Sequence, residues 1–405
     1  MYYFICTILL IMILTTWANA ETFYVAADGK AENDGSYEKP WTSVEYALSK
    51  LGGGHTIIVK PGIYRGPIQI AKQYAGTEKN PTVIKSEVKW QAVVIGAPYH
   101  VISNGDGCDW VVIDGFEVMG GHYDGIKMNG DHNTVRNCWV HNNKAMGIAM
   151  HNKKGGVIES NLIEFNGDHV QFDHGVYSSG DGHIFRNNII RHNAGYGLHL
   201  YLSIKNSIVA NNLVYGQVHG NGIILSCPDG GGKNTVVNNT IVDRRALTIW
   251  NGDGETVVNN ILVGDEEVFF FNSRTQNVLV DYNLCHPGSE RQGEHGIAGD
   301  PRFVDSGKGV FWLKEDSPAI GKGTLNYAPD MDFWGRPRSK NSPPDLGAFP
   351  FVSFLAAEQV RTNWDYGWAY HRHSGMLPDF WSLTSLQSGM SPAYRNSAPD
   401  IGAHE

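Results

Sequence analysis

A short pattern returns through the middle of this chain: glycine, an apolar residue, any residue, an apolar residue, any residue. It reads GIKMN from Gly125, GIAMH from Gly147, GVYSS from Gly175, GLHLY from Gly197 and GIILS from Gly222. Two degenerate copies follow, ALTIW from Ala246 and VFFFN from Val268. Between the copies runs a second pattern of paired residues: Asn137-Cys138, Ser160-Asn161, Asn187-Asn188, Asn211-Asn212, Asn238-Asn239, Asn259-Asn260 and Tyr282-Asn283. The later members are separated by 23, 27, 24, 27, 21 and 23 residues. A repeat of this length, with short strands and no helix between them, is the signature of a solenoid. One coil cannot bury its apolar face alone, whereas stacked coils bury a continuous core.

Alternation predicts strands with one face in and one out. The combination selects an all-β, right-handed parallel β-helix. A leucine-rich repeat of similar length needs a denser leucine frame, which is absent. Stacked asparagines at equivalent bends can hydrogen-bond along the solenoid. Cys138 heads the column, so the ladder is expected to begin at Asn161. These residues read as structural, and the plainest alternative is a set of turn formers.

The 48 glycines suit a protein made of turns, and 41% hydrophobic residues suffice for a large core. A formal net charge of -9 with no basic stripe argues against a nucleic-acid partner. Residues 1–20 read as a signal peptide, with an apolar run from Ile5 to Leu14 and small residues Ala18-Asn19-Ala20 at the cleavage point. Secretion is therefore expected, with no membrane span after processing and a monomer outside the cell. Of five cysteines, Cys6 lies in that leader. Cys108, Cys138, Cys227 and Cys285 are scattered without metal-site spacing and read as buried free thiols.

The solenoid is expected over residues 21–350. After a strand at Phe23–Val25 and a polar loop, Ser43 can N-cap a short helix through Leu51, ended by Gly52-Gly53-Gly54. Such a helix would cover the open end of the first coil. Residues 351–405 form a different tail, rich in Trp, Tyr, His and Ser. In it NSPPDLGAF at Asn341 recurs as NSAPDIGAH at Asn396, which suggests a partial duplication that packs on the last coil or hangs from it.

The run from FYVAADG to TIIVKPGIYRG, with GDPRFVD from Gly299, FWLKEDSPAIGKG from Phe311 and PDLGAF from Pro344, resembles secreted right-handed parallel β-helix proteins. The group is that of polysaccharide lyases and mannuronan C5-epimerase-like enzymes. The resemblance spans about residues 21–350 and carries the fold, but no complete catalytic motif of one lyase family matches. It implies an acidic polysaccharide as partner, and Ca²⁺ as a common cofactor of such lyases.

Alternation also maps the outer face. One outward column is Lys127, Ala149, Tyr177, His199, Ile224, Thr248; the other is Asn129, His151, Ser179, Tyr201, Ser226, Trp250. Neighbours within a column stand about 4.8 Å apart. The bend before each strand holds Asp124, Asp173-His174, Tyr196, Asn221 and Arg244-Arg245. Aromatic faces suit sugar rings and polar edges suit hydroxyls. With 17 histidines some clustering arises by chance, and Tyr and Trp favour strands in any case. Even so, three His and two Tyr within three coils point to a groove.

If the substrate is a uronate polymer, as the resemblance implies, chemistry starts by removing the weakly acidic proton on carbon 5. The carboxylate must be neutralised and a base placed on that proton. His199 or His174 is the candidate base, with Tyr177 as partner or acid. His151, Asn129, Lys127 and Arg245 are candidates to hold the carboxylate. Asp173, Tyr201, Arg244 and Trp250 are further candidates for substrate contact. Asp124 and Asp173 are the only carboxylates offered to a metal. β-Elimination leads. C5-epimerisation, glycoside hydrolysis by two carboxylates and polysaccharide binding without catalysis remain open.

Overall fold

The structure, a computed structural model, describes residues 20–351. The expected leader and tail lie outside the described residues, apart from their boundary positions. Within them the chain winds as a parallel β-helix with three sheets of 11, 9 and 11 strands. Every strand pairs in parallel with its counterpart in the coils before and after. Secondary structure otherwise amounts to one helix, two short 3₁₀ turns and an antiparallel pair, Phe303–Asp305 with Val310–Leu313.

The apolar positions of the repeat point inward. Ile126, Met128, Ile148, Met150, Val176, Leu198, Leu200, Ile223 and Leu225 are all fully buried along the nine-stranded sheet. Val135, Ile158, Phe185, Val209, Val236 and Val257 do the same for the first sheet, and Val140, Ile163, Ile190, Val214, Ile241 and Leu262 for the third. Each layer rests on the identical layer below, which is how a coil too small to fold alone is stabilised.

The cap is Val44–Leu51, with Ser43 Oγ accepting the Tyr46 N–H at 3.1 Å and Gly52 ending it at φ +78°. Its buried face, Val44, Ala47 and Leu48, joins the core of the first coils beside Val25, Trp41 and Ile57.

The asparagine ladder is present. Asn161, Asn188, Asn212, Asn239 and Asn260 each donate from Nδ2 to Oδ1 of the next member, at 2.9–3.0 Å, ending on Asn283. Cys138 joins this ladder only through its main-chain N–H, which donates to Asn161 Oδ1. The preceding residues, Asn187, Asn211, Asn238 and Asn259, sit in the left-handed region at φ +52 to +60°, a conformation asparagine tolerates better than most residues.

Two further ladders run at the other bends. One passes from Asn143 through Asn166 and Asn193 to Gln217, whose N–H reaches Asp243. The other passes from Gly156 through His183, Ser207 and Asn234 to Glu255. Each of these bends also turns on one left-handed residue, such as His192 and Asn206. Their side chains vary, so no sequence column announces them. Cys108, Cys138, Cys227 and Cys285 are all buried free thiols, as expected.

After the last coil the chain turns back along the outside of the solenoid. Asn259 Nδ2 binds the Thr324 carbonyl, Asn211 that of Met331, and Asn187 those of Asp332 and Phe333. The return leg is held by Arg338 on Asn211 and by the Asp345 and Gly347 carbonyls on Asn238. This strap over residues 324–347 was not foreseen from the sequence beyond the expectation of a closing segment.

Candidate functional site

The nine-stranded sheet keeps the first column in the predicted register, although Ala149, Ile224 and Thr248, expected to face outward, are buried. Lys127 pairs with Ala149, Ala149 with Tyr177, Tyr177 with His199, His199 with Ile224 and Ile224 with Thr248. The second column is only partly in line. Tyr201, Ser226 and Trp250 are in register. Between Met150 and Lys153 the register shifts, so His151 does not stand opposite Ser179. Ser179 is buried. The bulge frees His151 to lie against Tyr177, with ring centroids 4.7 Å apart.

Four of the expected residues therefore meet on one patch. Tyr177 has His151 on one side and His199 on the other, the latter edge-on at 5.1 Å. Tyr201 lies 5.2 Å from His199 and 6.3 Å from Tyr177. Burial pushes both exposed-face imidazoles down, His151 to about 4 with Lys127 adding to the effect, and His199 to about 4. Both are neutral at ordinary pH. Burial raises the Tyr177 phenol above its usual value, so it holds its proton.

His174 is placed differently from its expected role. It is 2% exposed, at the bend behind the patch. Its Nδ1 accepts the Tyr196 N–H at 3.1 Å, and its Nε2 is 2.8 Å from Nδ1 of His199. With both nitrogens occupied and burial pushing its pKa to about 2, it cannot reach a sugar. Its ring stacks on Tyr196 at 4.7 Å, and Tyr196 stacks in turn on His219 at 5.0 Å. Tyr196 stood on the predicted bend but was not among the candidates, and His219 was missed. The loop before Asn221 is irregular, so no repeat position pointed to it.

Other candidates are spent on structure. Asp173 is buried, and its Oδ2 accepts the N–H groups of Asp168 and His169 in the loop before the bend. Burial raises its pKa. Asn129 donates from Nδ2 to the Asn104 carbonyl and from its main chain to Asn104 Oδ1, tying two coils together. Arg244 and Arg245 are within 3.2 and 3.5 Å of Glu266, and Arg245 also lies over the Phe270 ring. Trp250 is 47% exposed beside Phe270, two coils from His199 and available as a platform.

Asp124 and Asp173 do not form a cation site. Asp124 accepts the Met146 N–H, lies 3.2 Å from His100 Nδ1 and 3.8 Å from Lys127 Nζ, while Asp173 is committed to its loop. Among the described residues no group of three or more His, Cys, Asp or Glu side chains is arranged to hold a metal. This donor set does not fit Ca²⁺.

The sequence matches the profile of the Pel9A-like right-handed β-helix region over residues 23–240. Pectate lyase L of Dickeya chrysanthemi is 27% identical over 145 residues, which cover 32% of this chain and 33% of that protein; the chain thus matches about a third of that relative's length. Among solved structures, the crystal structure of pectate lyase Pel9A superposes with a TM-score of 0.62 at 18% identity, over 83% of this chain and 97% of that one. The complex of XylC with xylose superposes at 0.56 with 11% identity, over 82% and 98%. At such identities the superpositions establish the fold alone.

Proposed function

This chain belongs to the Pel9A-like right-handed β-helix family, and from that premise we propose that it is a secreted lyase that cleaves a uronate-containing polysaccharide by β-elimination. Pectate, the substrate in the names of its relatives, leads the panel of polymers to test. The observation that carries the reading is the run His151–Tyr177–His199, three half-buried polar rings in successive contact across three adjacent coils of one sheet.

Elimination needs three things at one sugar: a base for the proton on carbon 5, a partner for the carboxylate and an acid for the leaving oxygen. The two imidazoles that flank Tyr177 serve as base and carboxylate partner. The pair of electrons from the C5–H bond forms the C4=C5 double bond. The C4–O bond breaks, and the bridging oxygen takes the proton of the Tyr177 hydroxyl. The protonated base then returns its proton to the phenolate beside it. Lys127, on the same column, supports the substrate's charge, and Tyr201 and Trp250 supply ring faces for neighbouring sugars.

The test is absorbance near 235 nm, about where a conjugated unsaturated uronate absorbs, during incubation with pectate, alginate and chondroitin, with and without Ca²⁺. A rise that is lost in Tyr177→Phe supports the proposal. No rise with any polymer overturns β-elimination. Proton exchange at carbon 5 would then mark an epimerase, new reducing ends a hydrolase, and retention on a polysaccharide column without either a binding protein.

A further inference from the structure

The hydrogen bond between the two histidines has a direction that its neighbours determine. The main-chain N–H of Tyr196 can only donate, and it points at Nδ1 of His174 from 3.1 Å. That nitrogen must therefore carry a lone pair. A neutral imidazole with a bare Nδ1 carries its proton on Nε2. Nε2 of His174 is the atom 2.8 Å from Nδ1 of His199. It donates, so Nδ1 of His199 accepts and the proton of His199 sits on its own Nε2. That last nitrogen has no hydrogen-bond partner among the described residues.

We infer that His174 is a positioning residue which locks His199 as an Nε2–H donor toward the groove, leaving His151 to act as the base. The inference rests on the lyase reading for the roles, though not for the direction of the bond. A locked N–H cannot accept the carbon-5 proton, but it can donate to an oxygen of the substrate carboxylate. His151 takes part in no such chain among the described residues; its ring lies against Tyr177, and the charged or titratable groups that act on it are Lys127, Asp124 and His100. The geometry supports the same order. Tyr177 lies between the two rings, so base, acid and carboxylate partner fall in sequence across adjacent coils about 4.8 Å apart. The stack of His174 on Tyr196 holds the donor ring flat in its slot.

The bond itself can be read by nuclear magnetic resonance on the ¹⁵N-histidine-labelled protein at pH 7, without any substrate. An N–H···N bond shows scalar coupling across the hydrogen. The expected result is one shared proton with its one-bond coupling to His174 Nε2 and its through-hydrogen coupling to His199 Nδ1. The coupling should vanish in His174→Leu. A proton bonded to His199 Nδ1, or no coupling in the native protein, overturns the inference even if the protein is a lyase.

The kinetic arm uses the polymer that gives the absorbance change. His199→Gln keeps an N–H donor and should lose about tenfold in kcat/KM, whereas His151→Gln should lose 100-fold or more, as expected for removal of a general base. His174→Gln, which keeps a donor toward His199, should recover most of the activity lost in His174→Leu. Equal losses in His151→Gln and His199→Gln, or no recovery by His174→Gln, would overturn the assignment of roles. A silent enzyme with the predicted coupling would instead count against the lyase reading alone.

Discussion

Asn187 donates from Nδ2 to the main-chain carbonyl of Phe333, 2.8 Å away and 146 residues later. The same residue holds a left-handed turn at φ +58°. One side chain thus turns the coil and fastens the strap to it. These two jobs can be separated by substitution. Asn187→Ala loses the bonds and strains the backbone, while Asn187→Gly loses only the bonds. Left-handed strain costs roughly 1–2 kcal/mol in a residue with a β-carbon, and a hydrogen bond contributes about 1 kcal/mol. Asn187→Ala should be the less stable by about 1 kcal/mol in guanidinium unfolding. Equal losses would mean that the turn carries no strain.

The interior ladder is more sensitive. Asn188 accepts both the main-chain and side-chain N–H of Asn161 on Oδ1, and donates to the Ile158 carbonyl and to Asn212 Oδ1. Asn188→Ala strands several buried groups, each costing about 1–3 kcal/mol. A loss of about 3–5 kcal/mol is expected. Ser207→Ala removes the acceptor of the His183 N–H and the donor to the Lys205 carbonyl, fewer groups than at Asn188, and should lose about 1–3 kcal/mol. Denaturation midpoints of the two variants would show whether the loss scales with the number of stranded groups.

Asp243 ends the second ladder with a buried carboxyl. Burial pushes its pKa up to about 8, against the hydrogen bonds from the Gln217 and Arg244 N–H groups that lower it. The folded protein therefore holds a proton that the unfolded chain, with an ordinary carboxyl near 4, has already released. The stability contributed is complete below about pH 4 and is lost as pH rises to about 8, by on the order of 1 kcal/mol per pH unit at most. Asp243→Asn keeps an acceptor for Gln217 and should flatten that slope. Urea unfolding at pH 5, 6, 7 and 8 would check it, and an unchanged slope would assign the dependence elsewhere.

The proposed chemistry sets a pH profile. His151, lowered to about 4, must be neutral to accept a proton, and Tyr177, raised above the usual phenol value, must be protonated to donate one. The rate constant kcat/KM should climb as pH passes about 4, then hold level until the alkaline range where the phenol ionises. A single rise near the ordinary histidine value would show that the base is more exposed than His151. Tyr177→Phe should lower kcat/KM by at least 100-fold with folding intact by circular dichroism.

Trp250 offers a separate test of the groove's length. It stands two coils beyond His199, about 10 Å away along the sheet at the usual strand spacing. Trp250→Ala should raise KM several-fold for long polymer and leave short oligosaccharides unaffected. A change in kcat alone would place Trp250 outside substrate contact.

The sequence alone determined the solenoid, the inward residues, the cap helix, the register of the first outward column and the Asn161–Asn283 ladder. The cap helix follows from its own capping residues, Ser43 and Gly52; the others follow from local repetition, since each depends on a residue type recurring at one place in successive coils, and similar coils must stack in register. The tertiary structure decided what repetition cannot carry. The bulge after Met150 breaks the second column and turns His151 toward Tyr177. Loop packing commits Asp173 to its own backbone, and Glu266 engages Arg244 and Arg245. No sequence column marks the other two ladders, because His183, Ser207, Gln217, Asp243 and Glu255 are chemically different residues serving one geometric purpose. His174 shows the division most clearly. Its place beside the strand was legible, but its burial, and the bond that orients His199, depend on Tyr196 in the next coil, where only the fold could bring a backbone N–H to meet it.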